Sequence, residues 1–122
     1  MAIQISEAES VVMQVLWQRA PQAADEVVAA LADQQDWAEP TIKTLLNRLL
    51  NKGAIRATRE GRRYLYSPLL SREAWFSSES ESLLQRLFDG RIAPLVAHFG
   101  EQRKLSAQDI AELRQLIEEL ER

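Results

Sequence analysis

Apolar residues recur at helical spacing from the start of the chain. Ala8, Val11, Val12, Val15 and Leu16 fall on one face of a helix of period 3.6. Ser6-Glu7-Ala8-Glu9 precedes them in the order of a capping box, with Ser6 covering an orphan N–H and Glu9 reaching back. Pro21 closes this helix, because proline disfavours the α region in the residue before it. A shorter helix is predicted from Ala24 to Ala32, with Val27, Val28 and Leu31 inward and Asp25 and Glu26 suited to its positive end. Asp33-Gln34-Gln35-Asp36-Trp37 then leads to a third helix. Pro40 sits in its first turn, where a missing N–H costs little, and Gly53 follows Lys52 as a stop.

On that third helix Ile42, Leu45, Leu46, Leu49 and Leu50 fall within an arc of ~140°. The opposite arc holds Lys43, Thr44, Asn47, Arg48, Asn51 and Lys52, and no acid. Beyond it, Ala54 to Arg59 and Arg62 to Ser67 flank Glu60-Gly61, which reads as a β-hairpin ended by Pro68. Alternation puts Tyr64 and Tyr66 on one face of that hairpin, where both are expected in the core. A longer helix follows from Ser71 to Asp89, with Gly90 as its end, and a short helical segment from Ile92 to Phe99. Ser106 caps a last helix with Asp109 in the box position. Ile110, Leu113, Leu116, Ile117 and Leu120 make an apolar stripe ~120° wide along it.

The fold class implied is mainly α with a small β-hairpin. Residues 1–70 form a winged helix-turn-helix, and residues 71–122 a C-terminal helical dimerisation domain. That helical tail is too small for a good core of its own, so the stripe is expected to be covered by a second copy of the chain.

Composition narrows the chemistry. The chain has 122 residues, 46% of them apolar and 27% charged, which is ordinary for a globular protein. No run of ~20 apolar residues is present, and Met1 to Ser10 lacks the basic and apolar regions of a secretory signal. A cytoplasmic protein without membrane insertion is expected. With no cysteine and one histidine, thiolate metal sites, disulfides and two-histidine zinc sites are excluded, and neither metal nor cofactor is expected. No nucleophile–base pair stands out, so the chain does not read as an enzyme.

The net charge of −3 hides an asymmetry. Residues 1–38 carry −5, residues 39–72 carry +6 and residues 73–122 carry −4. A local basic field counts for more than the total when the partner is a polyanion. The third helix concentrates the chemistry. A helix fits the DNA major groove, where Arg and Lys pair with guanine or phosphate, Asn with adenine, and a Thr methyl with the thymine methyl. Thr41, Lys43, Thr44, Asn47 and Arg48 supply that set. Arg59, Arg62 and Arg63 flank the hairpin tip, where a wing meets the phosphate backbone and positions without reading sequence.

These residues carry a resemblance to the BlaI/MecI/CopY penicillinase-repressor family of bacterial transcription regulators. Ile5-Ser6-x-Ala8-Glu9, Val12-Met13 and Leu16-Trp17 come first. The most specific block is Asp36-Trp37 followed by Thr41-Ile42-Lys43-Thr44-Leu45-Leu46-x-Arg48-Leu49. Tyr66-Ser67, Leu95-Val96-x-x-Phe99, Leu105-Ser106 and Ile110-x-Glu112-Leu113 follow in order. The resemblance implies a homodimeric repressor on an inverted-repeat operator of double-stranded DNA with TACA/TGTA-like half-sites, the C-terminal helices dimerising. By position it implies DNA contacts from Thr41, Lys43, Thr44, Asn47 and Arg48, with wing support from Arg62 and Arg63.

In the family's β-lactam branch a membrane sensor metallopeptidase starts the signal, and the repressor is cut before a Phe that Phe99 matches. The residue before it there is Asn, whereas here it is His98. The copper-responsive branch binds metal through C-terminal cysteines that this chain lacks. Ala38-Glu39-Pro40 stands where the family has Ser-Pro-basic, removing a helix cap and one cation. Two other readings stay open: a ligand-sensing winged-helix repressor with a small-molecule pocket, and a winged-helix protein-interaction module. The second would need an apolar patch where the third helix is cationic.

Overall fold

The computed structural model describes residues 3–122. The chain runs α1 (Glu7–Gln18), β1 (Gln22–Ala23), α2 (Ala24–Leu31), α3 (Glu39–Lys52), β2 (Ile55–Glu60), β3 (Arg63–Pro68), α4 (Arg72–Phe88), α5 (Ile92–Glu101) and α6 (Ala107–Leu120). It divides into two compact units, the first ending at Ser78 and the second spanning Glu79–Arg122.

The first unit is a winged helix. Its core is built by the apolar faces that the periodicity marks, Val12, Val15 and Leu16 from α1, Val27 and Leu31 from α2, and Ile42, Leu45, Leu46 and Leu49 from α3, joined by Met13 of α1, which the spacing did not single out. Burying each such side chain is worth about 1.5–3 kcal/mol, so three short helices hold together that would be marginal alone. The predicted capping box is present, with the Glu9 backbone N–H donating to Ser6 Oγ at 3.1 Å and the Ser6 N–H to Glu9 Oε1 at 2.7 Å. Gly53 ends α3 in the left-handed region, at φ 77°. Ala38 supplies no side-chain cap to α3, as its methyl group dictates.

The hairpin strands pair from Ile55↔Pro68 to Glu60↔Arg63, leaving Gly61 and Arg62 at the tip. The turn thus sits one residue later than the Glu60-Gly61 expected, and Gly61 supplies the positive φ of 64° that the reversal needs. A third strand is new. Gln22 and Ala23 pair with Tyr66 and Leu65, giving the antiparallel order β1-β3-β2. Gln22 is buried, and its Nε2 donates to the Val15 carbonyl at 3.1 Å and to that of Arg19. The side chain thereby satisfies carbonyls that the end of α1 leaves without helical partners. Of the two tyrosines expected in the core, Tyr66 packs against it, whereas Tyr64 is 52% exposed. Tyr64 lies close to the hairpin tip, opposite Arg59, and lines an open cleft with the first residues of α2 and α3.

The first unit includes the start of α4. Trp75 packs on Trp17 of α1, with ring centroids 5.4 Å apart, and Trp17 Nε1 donates to the Leu70 carbonyl at 2.8 Å. This packing carries the unit past the 70/71 boundary expected from the chain order.

In the second unit, Gly90 takes a left-handed φ of 78° after α4, and Ser106 and Asp109 form the predicted capping box at α6. No residue of α5 or α6 is buried. The rings of Phe88, His98 and Phe99 meet at steep angles, with centroids 6.3 Å apart and planes 53° apart for the first pair, and 5.6 Å and 71° for the second.

Candidate nucleic-acid interface

α3 divides sharply into two faces. Ile42, Leu45, Leu46 and Leu49 are buried, while Thr41, Lys43, Thr44, Asn47, Arg48 and Asn51 are exposed. The helix is held by its apolar face, so the polar residues are offered to solvent from a rigid element. All five sequence-predicted site residues of α3 lie on the offered face. The Thr44 hydroxyl donates to the Pro40 carbonyl at 2.9 Å. Its proton is thus used within the helix, which leaves its methyl group and an oxygen lone pair.

The hairpin brings the basic tip alongside. Arg62 and Arg63 share a cleft with Lys43 of α3, completed by the first residues of α2 and α3 and by Tyr64 and Tyr66. Both arginines are exposed. Arg59 folds onto the turn, its Nε donating to the Gly61 carbonyl at 3.1 Å.

Two features of this surface were not read from the sequence. Lys52, on the polar arc of α3, turns instead to Glu9 of α1. Glu9 is almost wholly buried, and its carboxylate takes both the Lys52 ammonium and the Ser6 N–H. Burial pushes this carboxyl upward. The Lys52 hydrogen bond and those of the Ser6 backbone and hydroxyl outweigh burial, holding its pKa below the reference value of 4.5. A carboxylate lowered in the folded state stabilises the fold above its unfolded pKa, and that contribution is lost as pH falls through the folded value. The urea midpoint should therefore drop as pH is taken below about 4.5. Glu9→Gln should remove part of that dependence, read by circular dichroism; an unchanged acid limb would show that other carboxylates govern it.

The second feature is a pair of carboxylates beside the cations. Glu39, at the start of α3, lies 3.9 Å from Lys43 Nζ. Glu26, in the first turn of α2, lies 4.0 Å from Arg63 and 2.9 Å from Arg19. The four-residue spacing of Glu39 and Lys43 is a readable helical pair. No local signal joins Glu26 to Arg63, which meet only once the hairpin folds beside α2. Arg48 and Arg62 have no carboxylate partner among the described residues.

The remaining sequence-predicted residues lie in the second unit. On α6, Ile110, Leu116, Ile117 and Leu120 are 41%, 53%, 53% and 83% exposed, and Leu113 is partly buried. His98 and Phe99 are exposed near the end of α5. Among the described residues no group of acids and histidine is arranged to hold a metal ion. Nor, among the described residues, is any helix long and apolar enough to cross a membrane.

Residues 5–119 match the penicillinase repressor family. A penicillinase repressor of Bacillus licheniformis is 37% identical over 116 residues, covering 95% of this chain and 91% of the relative. The methicillin resistance regulatory protein MecI of Staphylococcus aureus is 30% identical, covering 93% of each chain. Among solved structures, the DNA-binding domain of the repressor BlaI superposes with a TM-score of 0.55 at 36% identity, over 61% of this chain and 90% of that one. The monomeric form of Bacillus licheniformis BlaI in complex with the blaP half-operator superposes with a TM-score of 0.54 over the same shares.

Proposed function

The chain belongs to the penicillinase repressor family, and on that premise we propose that it is a transcriptional repressor whose α3 enters the major groove of an inverted-repeat operator, one half-site per subunit of a homodimer. The observation that carries the reading is the acid-free face of α3 from Thr41 to Asn51, exposed beside Arg62 and Arg63. Asn47 and Arg48 read base edges, Thr41 and Thr44 pack against bases and backbone, and Lys43 reaches phosphate or guanine. Arg62 and Arg63 hold the wing to the backbone. The relative solved with a half-operator supports a DNA partner for this fold. A cytoplasmic site of action accompanies a DNA target.

Dimerisation is assigned to residues 71–122, with Ile110, Leu113, Leu116, Ile117 and Leu120 of α6 at its centre. Five large apolar side chains along one helix, four of them at least 41% exposed, are a costly surface for a small protein to leave in water. Release from DNA is assigned to cleavage between His98 and Phe99 by a membrane sensor metallopeptidase. Mass spectrometry after induction tests this; an intact chain in derepressed cells would exclude it.

The DNA assignment is tested by substitution. Asn47→Ala and Arg48→Ala should each cost about 1–3 kcal/mol of operator binding and relax base preference at one position of each half-site. Arg62→Ala should weaken all duplexes alike. Selection from random duplexes separates the two classes. A change of base preference in Arg62→Ala, or none in Arg48→Ala, would reverse the roles given to the wing and α3.

A further inference from the structure

The acids beside the cations are placed where a DNA-binding surface would not be expected to carry them. Asp25 and Glu39 line the same cleft as Lys43, Arg62 and Arg63, and Glu26 reaches Arg63 from the first turn of α2. Helix starts attract phosphate, yet acids occupy the starts of both α2 and α3. We infer that Glu39 is a specificity-determining residue, a counter-charge that engages Lys43 and so suppresses binding to DNA that is not operator, with Glu26 adding to the brake through Arg63. The inference rests on the reading of α3 and the wing as the DNA surface.

The two binding modes treat these pairs differently. Binding to arbitrary sequence is driven almost wholly by phosphate neutralisation. There Lys43 must exchange Glu39 for a phosphate and leave that carboxylate facing a second anion, while Arg63 must leave Glu26, which then retains only Arg19 at 2.9 Å. In the operator complex, base contacts fix α3 in the groove, and Lys43 is placed by the helix as well as by charge. Its ammonium has three donors, so it can keep Glu39 while it donates to an acceptor on the DNA. The counter-charge therefore costs more on the wrong sequence than on the right one, which is how repulsion creates discrimination.

Each exposed pair is weak, but there are two per subunit and four in a homodimer. Together they are expected to hold down random-sequence affinity by about tenfold. The measurement compares the full chain with Glu39→Gln, Glu26→Gln and the double variant. Each is titrated onto the protein's selected inverted-repeat duplex and onto a random duplex of equal length, across a range of salt. Glu101→Gln, on α5, is the control for net charge alone. Glutamine in place of Glu26 keeps the oxygen that accepts the Ala23 N–H at 3.0 Å. Thermal unfolding checks each fold, and Glu39→Gln suffices if Glu26→Gln melts early.

The expected result is about a tenfold gain by the double variant on random duplex, a smaller gain on operator, and a steeper salt slope on the random duplex. Equal gains on both duplexes, or a gain no larger than that of Glu101→Gln, would overturn the inference while leaving the DNA surface intact. A parent protein whose DNA binding ignores salt would instead overturn the reading of the surface itself.

Discussion

Glutamates in place of Leu116 and Leu120 are expected to leave a monomer that binds the operator at least a hundredfold more weakly. Both side chains are more than half exposed on α6 in the single chain. In the proposed dimer each would be removed from water, at about 1.5–3 kcal/mol apiece, and twofold symmetry repeats the gain. Two carboxylates per subunit at that seam would have to be desolvated without partners, which no apolar contact offsets. The loss of DNA binding follows from effective concentration: once one half-site is occupied, a tethered second unit finds its own half-site without a new encounter, commonly worth 10²–10⁴ in affinity. Sedimentation gives the oligomeric state and mobility shift the affinity. Ending the chain after Phe99 should produce the same pair of results. Tight operator binding by either monomer would remove the role given to α6.

Salt should act even more strongly. Lys43, Arg59, Arg62 and Arg63 are exposed cations of the proposed interface placed to reach the backbone, which makes about eight phosphate-reaching groups per dimer. Counterion release then gives a slope of log K against log salt near −7, so affinity should fall about ten-thousandfold between 50 and 200 mM. The protein's total charge of −3 would suggest the reverse. A flat response would mean that the +6 carried by residues 39–72 does not meet DNA. Arg62→Ala should lower the magnitude of the slope by about two per dimer.

Much of the fold was legible because its signals are local. Ser6 and Glu9 are three residues apart, as are Ser106 and Asp109, and both capping boxes form. The leucines of α3 repeat within one helix, so its buried and offered faces could be drawn from spacing alone. β1 could not be, since two residues carry no periodicity and Gln22 looks like a loop residue until its amide is seen closing the end of α1. Tyr64 was placed inside because alternation gives a face but not the extent of what covers it. The same limit applies at the candidate site. Arg62 and Arg63 were legible as a basic tip, whereas the contact of Arg63 with Glu26 depends on a hairpin folding beside a helix far away in sequence. Lys52 belongs to the polar arc by angle, but the buried Glu9 claims it.

The tilted, packed pair Trp17 and Trp75 has a spectroscopic corollary. With Trp37, Tyr64 and Tyr66 they are all the indoles and phenols of the chain, and every one precedes Glu79, where the second compact unit begins. Intrinsic emission and near-ultraviolet dichroism thus see the winged helix and are blind to α5 and α6, where Phe99 is the sole benzenoid chromophore. A melting curve followed at those wavelengths would describe the first unit alone, and dissociation of the proposed dimer would pass beneath it unrecorded.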